Sequence, residues 1–510
     1  MRFFNHILKS VSNHFSTLGL GFAALGFISL STVQLSAQEI KLPVYREVLD
    51  NGLVVLINPN HQAPIVAARL FFTTGSVHEA PGRSGIAHML EHMLFKGTKK
   101  TGITDSILDA QYIHQIDSVR ALMRSARLKK DSTLLATEKS SYDSLLTEHR
   151  KIFVKDELWE TYLKEGGTGL NAFTSDLMTA YFVTLPKNKL ELYFWLEADR
   201  MQYGVLREFY PERDVVREER RMRYEDSPTG RYWETLTAVF YEAFPFRVPT
   251  IGWASDIEQL TRKQAQDHYD KYYKPNNAIL VLSGDVKPEE IMPQVRQYFA
   301  PIPRGESHAE ILIKEPEQVA HKSIVQYKDD AKPRVDIMFH TPSINHKDIY
   351  ALDVIEGVLN GASGRLNREL VIKKKIANGV SSGNYADKYM SSFNLSAVLK
   401  DPTKHQEVIK AIWTEIKKLQ DTPISNRELQ KVKNQVVAKT VRSLENIEHL
   451  ATQLAFYEMY GDWNIISTFP AGVQKVTPEE VQAVAKQYFK YHLSTQGMIL
   501  PTKLSPEKGL

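Results

Sequence analysis

The residues best suited to chemistry sit together in His88-Met89-Leu90-Glu91-His92. On a helix, positions i and i+4 share a face, so His88 and His92 can reach one cation. Glu91 lies on the same turns, where its carboxylate can take a proton from a water beside that cation. The 510-residue chain has no cysteine. Disulfides, Cys-ligated zinc, iron–sulfur clusters and thiol nucleophiles are thereby excluded, and any metal must be held by His, Asp or Glu. Two surface histidines on a charged helix would give the same pentapeptide. The flanks argue otherwise: Ile86, Met89, Leu90, Met93 and Leu94 make the segment a largely apolar helix. Burying two His and a Glu together without a metal would be costly.

Two histidines leave a catalytic zinc one protein ligand short, because its fourth position stays open to water. Without cysteine, the missing ligand is a carboxylate or another histidine. The leading source is the acidic stretch Glu212-Arg213-Asp214-Val215-Val216-Arg217-Glu218-Glu219. Glu212 and Glu219 are two helical turns apart on one face, so one can bind the metal while the other supports a ligand. A solvated helix laced with i,i+4 ion pairs is the alternative for such a composition.

Several elements must position these groups. The composition, 43% hydrophobic and 24% charged, is that of an ordinary soluble globular protein. The net charge of +4 is too balanced to indicate nucleic acid. Residues 1–37 carry Arg2 and Lys9 but no acid, then an apolar run from Leu18 to Leu30 and the small-residue end Leu35-Ser36-Ala37. That is the pattern of a secretory signal cut near Ala37, and the run is short and Gly/Ser-interrupted for a membrane span. Asp50-Asn51-Gly52 predicts a hairpin between Tyr45–Leu49 and Leu53–Asn58. Ile65–Thr73, Leu170–Leu185 and Asn277–Gly284 read as strands, with helices at about Gly85–Phe95, Leu190–Met201, Pro211–Tyr224 and Pro288–Phe299. After a Pro- and Gly-containing linker the order repeats, with strands at Val335–His340 and Val380–Ala397 and helices at Tyr350–Leu359, 403–420, 425–459 and Pro478–Tyr491. Residues 103–164 stand outside this scheme. Apolar stripes at Ile113, Ile116, Val119 and Met123 and at Leu134, Leu135, Tyr142, Leu145 and Leu146 predict an antiparallel helical hairpin projecting from the domain, turning at Lys129–Thr133.

His88–Thr98 (HMLEHMLFKGT) resembles the signature of the M16 metallopeptidases, the inverzincins that include pitrilysin, insulysin and the mitochondrial processing peptidase. Asn171-Ala172-Phe173-Thr174 is similar to that family's N-A-x-T segment, and Glu212-Arg213-x-x-Val216-x-x-Glu219 to its E-R-x-x-V-x-x-E stretch. Ile251-Gly252-Trp253, Tyr273-Lys274-Pro275-Asn276-Asn277 and Gly361–Leu366 extend the resemblance over nearly all of residues 44–500 apart from the insertion. It implies an α+β fold of two homologous α/β domains, each a mainly antiparallel sheet with helices on one face. A signal peptide (1–37) would precede a zinc-binding peptidase domain (44–300, with the insertion at about 103–164), a linker (301–320) and a C-terminal domain (321–500).

Carried over residue by residue, the resemblance makes His88, His92 and Glu219 the ligands of one zinc ion per chain. Glu91 becomes the general base and Glu212 the second acidic residue beside the site, while Glu218 falls out of register. Asn171, Ala172, Phe173 and Thr174 become an edge strand that pairs with an extended peptide. The implied activity is zinc-dependent hydrolysis of peptides or unfolded polypeptides inside a clamshell chamber. The competing class is a non-catalytic M16-like assembly or interaction subunit, although such relatives usually lose part of the His/Glu set. Full-length relatives also supply an Arg and a Tyr from the other half of the enzyme. Aligning through Lys373–Val380 puts Val371 and Asn378 near those places, and neither can do that work; Arg365 reads as a turn residue. With two domains instead of four, the chain is expected to be half of a clamshell, completed by a second copy or by a related non-zinc M16 subunit. No nucleic-acid partner and no stable membrane anchor after signal removal are expected. The expected location is the periplasm of a Gram-negative bacterium, with the mitochondrial matrix as the alternative.

Overall fold

The Asp50-Asn51-Gly52 signal does turn the chain, with Gly52 at φ +92° and its N–H donating to Leu49 O at 2.8 Å. It joins β1 (Tyr45–Val48) to β2 (Val54–Pro59). With β3 (Ile65–Phe72), β4 (Thr168–Thr174), β5 (Thr179–Pro186) and β6 (Ala278–Gly284) they form one sheet in the order β1-β2-β6-β3-β5-β4. A second sheet holds β7 (Lys322–Tyr327), β8 (Arg334–Thr341), β9 (Ala377–Tyr385), β10 (Ser391–Leu399) and β11 (Ser494–Leu500), ordered β7-β11-β8-β10-β9. Each sheet is antiparallel except for one parallel pair, β2–β6 in the first and β7–β11 in the second. Leaving β1 aside, the second sheet repeats the first strand for strand, so the architecture is α+β with two homologous halves. The computed structural model describes residues 41–307 and 310–506, so the signal expected at 1–37 lies outside the described residues.

Strand periodicity explains the continuous apolar runs. In β3, Val66, Ala68, Leu70 and Phe72 face the helices of their own half, while Ala67 and Phe71 face the other half. In β6, Leu280 and Leu282 point one way and Ile279 and Val281 the other. Both faces are buried, so both residue sets are apolar. The cover on the second face is exchanged between halves. The helix Ile447–Tyr460 of the second half lies on β2, β3 and β6, and the helix Gly230–Phe240 of the first half lies on β7 and β11. Polar anchors fix each: Thr184 Oγ1 donates to Glu448 Oε1 at 2.7 Å, and Tyr232 OH donates to Asp336 Oδ2 at 2.6 Å.

Four expectations change in detail. The run Leu170–Leu185 is a hairpin, β4 and β5, whose turn is closed by Ser175 N–H donating to Met178 O at 2.8 Å. Val380–Ala397 is likewise the hairpin of β9 and β10. Neither turn contains Gly or Pro; Asp176 instead accepts hydrogen bonds from Ser76 Oγ and Thr250 Oγ1, both at 3.0 Å. The stretch 425–459 is two helices, Asn426–Glu445 and Ile447–Tyr460, broken at Asn446, whose side chain caps the second by accepting from His449 N–H at 2.8 Å. The insertion forms helices Ser106–Lys129 and Ser132–Arg150, capped by Asp105 and Asp131, followed by a third helix, Glu157–Lys164. Ile116, Met123, Tyr142 and Leu146 join the core of the first half together with Phe209, Tyr210 and Val216.

Candidate metal centre

His88, Glu91 and His92 lie on the helix Ile86–Met93, which is apolar and buried except along the Glu91–His92 edge. Its start is fixed from several sides. Gly85 caps it at φ +89°, and a Cβ there would stand 2.4 Å from Ile251 O. The Glu79 carboxylate accepts from Gly85 N–H and Ala87 N–H, both at 2.8 Å; burial pushes this group up to about 8 despite those bonds. The helix Phe209–Arg220 crosses beside it and carries Glu212 and Glu219.

The structure brings His88, His92 and Glu219 together: one ligand atom from each lies within 4.8 Å of the others. Glu219 Oε2 stands 3.3 Å from His92 Nε2 and 3.8 Å from His88 Nε2. Ligand atoms around a tetrahedral zinc lie about 3.4 Å apart, from bonds of about 2.0–2.1 Å. Glu219 Oε2 is also buried with no hydrogen-bond partner. A cation satisfies that orphaned oxygen, so the donor set fits zinc.

The surrounding groups prepare the donors. Burial holds His88 down to about 3, which keeps the imidazole neutral and able to donate a lone pair. Burial would also lower His92, but the Glu212 and Glu219 carboxylates beside it carry it up to about 9. His92 Nδ1 meets Glu212 Oε1 at 2.9 Å, leaving Nε2 directed at Glu219. Lys96 Nζ holds the other Glu212 oxygen at 2.7 Å. Burial opposes ionisation of Glu212, yet His92 and Lys96 hold its carboxyl down to about 2. Arg223 binds Glu219 Oε1 at 2.6 Å, and Glu218 faces solvent, paired with Arg221. Burial raises the Glu91 carboxyl above its ordinary value, against a hydrogen bond that Thr174 Oγ1 donates to Oε2 at 2.6 Å.

Thr174 ends β4, an edge strand. Leu170, Ala172 and Thr174 face the His88 helix, while Phe173 points away and stacks on Phe456 of the second half, with centroids 6.1 Å apart. Asn171 is exposed, and its Oδ1 accepts Ala172 N–H at 2.9 Å. The strand can therefore offer main chain to a ligand. Sequence reasoning missed Glu79, Lys96 and Arg223. Lys96 and Arg223 follow His92 and Glu219 at i+4, a spacing that could have marked them. In the second half, Asn378 Nδ2 donates to Leu399 O at 3.3 Å, and Arg365 forms a paired bond to Glu428 at 3.0 and 2.8 Å.

Comparison with known proteins agrees with this geometry. Residues 54–110 match the family model described as insulinase (peptidase family M16), and residues 259–436 match the one described as peptidase M16 inactive domain. The zinc protease PqqE of Helicobacter pylori is 28% identical over 96% of this chain and 100% of its own. The crystal structure of a protease from Helicobacter pylori superposes with a TM-score of 0.76 at 27% identity, covering 90% of this chain and 100% of that one. The periplasmic protease PqqL from Escherichia coli shares the fold at TM-score 0.69 and 16% identity, with 92% of this chain covering 50% of that protein. Fold, sequence and relatives converge on one likeness: the chain matches two M16 peptidase family models and is similar to zinc proteases over nearly its whole length.

Proposed function

We propose that the protein is a zinc-dependent metalloendopeptidase that hydrolyses peptides or unfolded polypeptides. The observation that carries this reading is the convergence of His88, His92 and Glu219 on one point, with Glu91 on the same helix and tied to the edge strand through Thr174. His88, His92 and Glu219 would hold one zinc, which supplies Lewis-acid polarisation of the scissile carbonyl and acidifies water. Glu91 accepts the proton of the attacking water and returns it to the departing amine. Its raised carboxyl eases that second transfer. Glu212 keeps His92 turned with Nε2 toward the metal, and the main chain of Asn171–Thr174 aligns an extended substrate by strand addition.

The match to half of a double-length relative supports a chamber completed by a second copy or by a related non-zinc M16 subunit. The domains are assigned to 44–300 and 321–500 with a linker at 301–320, a reading supported by the presence of one sheet in each. Export to the periplasm rests on the pattern of residues 1–37, and PqqL is itself a periplasmic protease. Glu91→Gln tests the central reading. The variant should keep zinc near one equivalent per chain by metal analysis while cleavage of an unfolded polypeptide falls at least about 100-fold. Unchanged turnover would remove Glu91 as base. A zinc-loaded wild type that cleaves nothing, alone or with a partner, would favour the assembly subunit.

A further inference from the structure

We infer that the helical insertion at 103–164 is a positioning element for the metal centre, holding the His92–Glu212 pair in register. This rests on the metallopeptidase reading above and assigns the insertion a role within it. The pair is made of groups from two separate elements, the His88 helix and the Phe209–Arg220 helix, and the insertion grips the chain next to both.

The first grip is buried. Asp109 Oδ1 meets His149 Nε2 at 2.7 Å, and Asp109 Oδ2 accepts from Arg207 Nε at 2.8 Å. Both carboxylate oxygens come from the first insertion helix and the imidazole from the second, so the hairpin closes around Arg207, which is 1% exposed. Arg207 spends its remaining donors on the loop that follows His92. Nη1 donates to Lys96 O at 2.9 Å and Thr101 O at 3.2 Å, and Nη2 donates to Thr98 O. Lys96, thus fixed at its backbone, reaches Glu212 with Nζ. Three carbonyls held by one buried guanidinium define a loop that has little helical or sheet structure of its own.

The second grip acts on the first turn of the Glu212 helix. Asp117 Oδ1 accepts from Tyr210 OH at 3.3 Å, and Asp117 Oδ2 accepts from Arg262 Nε and Nη2 at 2.8 and 2.6 Å. The Arg120 guanidinium lies 4.5 Å from the Tyr210 ring centroid and 5.1 Å from that of Tyr142. Arg150 Nε bonds Glu208 Oε1 at 2.7 Å where the backbone turns at φ +52° to enter the helix. Tyr210 is two residues from Glu212, so a shift of the hairpin is transmitted to both partners of the pair. A decoration would need none of these bonds.

The test is zinc affinity of the full chain by chelator competition, which needs no turnover. Asp117 is 28% exposed at its side chain, so Asp117→Ala should fold, and the melting temperature of the metal-free protein should move by only about 2–4 °C. Zinc affinity should fall roughly tenfold or more, the scale seen when a ligand's support is lost. Asp117→Asn keeps an acceptor oxygen for Arg262 and offers an amide N–H that can donate to the Tyr210 hydroxyl, so it should recover part of that loss. Asp109→Asn should weaken zinc in the same direction, and Leu128→Ala at the distal turn should change nothing. Asp117→Ala and Asp109→Asn that hold zinc within twofold of wild type, while Glu212→Gln loses it, would overturn the positioning role and leave the metallopeptidase reading intact. A wild-type chain that binds no zinc would overturn that reading and this inference with it.

Discussion

Thr174 shows how much one hydroxyl can control. Its bond to Glu91 Oε2 orients the carboxylate proposed above as the general base. Thr174→Val keeps shape and strand propensity but deletes the donor. Peptide cleavage should show kcat down roughly tenfold with KM nearly unchanged and zinc content intact, because a hydrogen bond to a charged group is lost. A second residue-scale contrast lies in Arg365, which the sequence could assign only to a turn. Its paired bond holds Glu428 down to about 2, against the opposing effect of burial. A carboxyl lowered on folding adds stability above its unfolded value near 4.5 and loses it as pH falls toward 2. Arg365→Ala should therefore cost about 1 kcal/mol at neutral pH, after allowing for solvent screening. The gap in melting temperature from wild type should close between pH 4.5 and 2. The clustering of His88, His92 and Glu219 was legible in two steps: helical spacing puts His88 and His92 on one face, and the family resemblance singled out Glu219 over Glu212. Glu79 was not, because it acts across a loop on backbone N–H groups, and no periodicity links it to the helix it caps.

The elements that carry the ligands are locked where they cross. Gly252 sits at φ +87°, and a Cβ there would stand 2.3 Å from Ser84 O, against the entry to the His88 helix. Its carbonyl accepts from Arg220 Nη1 at 2.8 Å, on the helix that presents Glu219. One glycine thus joins the helices that present His88 and Glu219. Gly252→Ala should destabilise the fold by roughly 1–3 kcal/mol and weaken zinc retention in a chelator assay. Gly379→Ala, where a side chain meets open space, should leave both unchanged. At this scale the sequence was readable for type and less so for ends. The β4–β5 and β9–β10 turns are held by side chains such as Asp176 without Gly or Pro, so each hairpin looked like one long strand. Asn446 breaks a helix by capping the next, a choice decided by where Ile447–Tyr460 must pack.

Across the whole molecule, each sheet is closed by a helix belonging to the other half. Repetition of strand order was readable from the sequence, but this exchange was not, since an apolar helix face carries no address. Among the described residues no helix is long and apolar enough to cross a membrane. The exchange makes a direct prediction: residues 44–300 and 321–500 produced separately should each aggregate or melt broadly, and co-expression should restore a single cooperative transition by calorimetry. Retention of separate sharp melts by the isolated halves would contradict it. The same exchange removes a hinge. Swinging one half away from the other would strip Leu450 and Leu454 from one sheet and Tyr232 and Leu236 from the other, exposing apolar surface on both. In the proposed chamber, a polypeptide would therefore reach Glu91 between this two-domain body and a second one, and the Phe173–Phe456 stack lies inside the first.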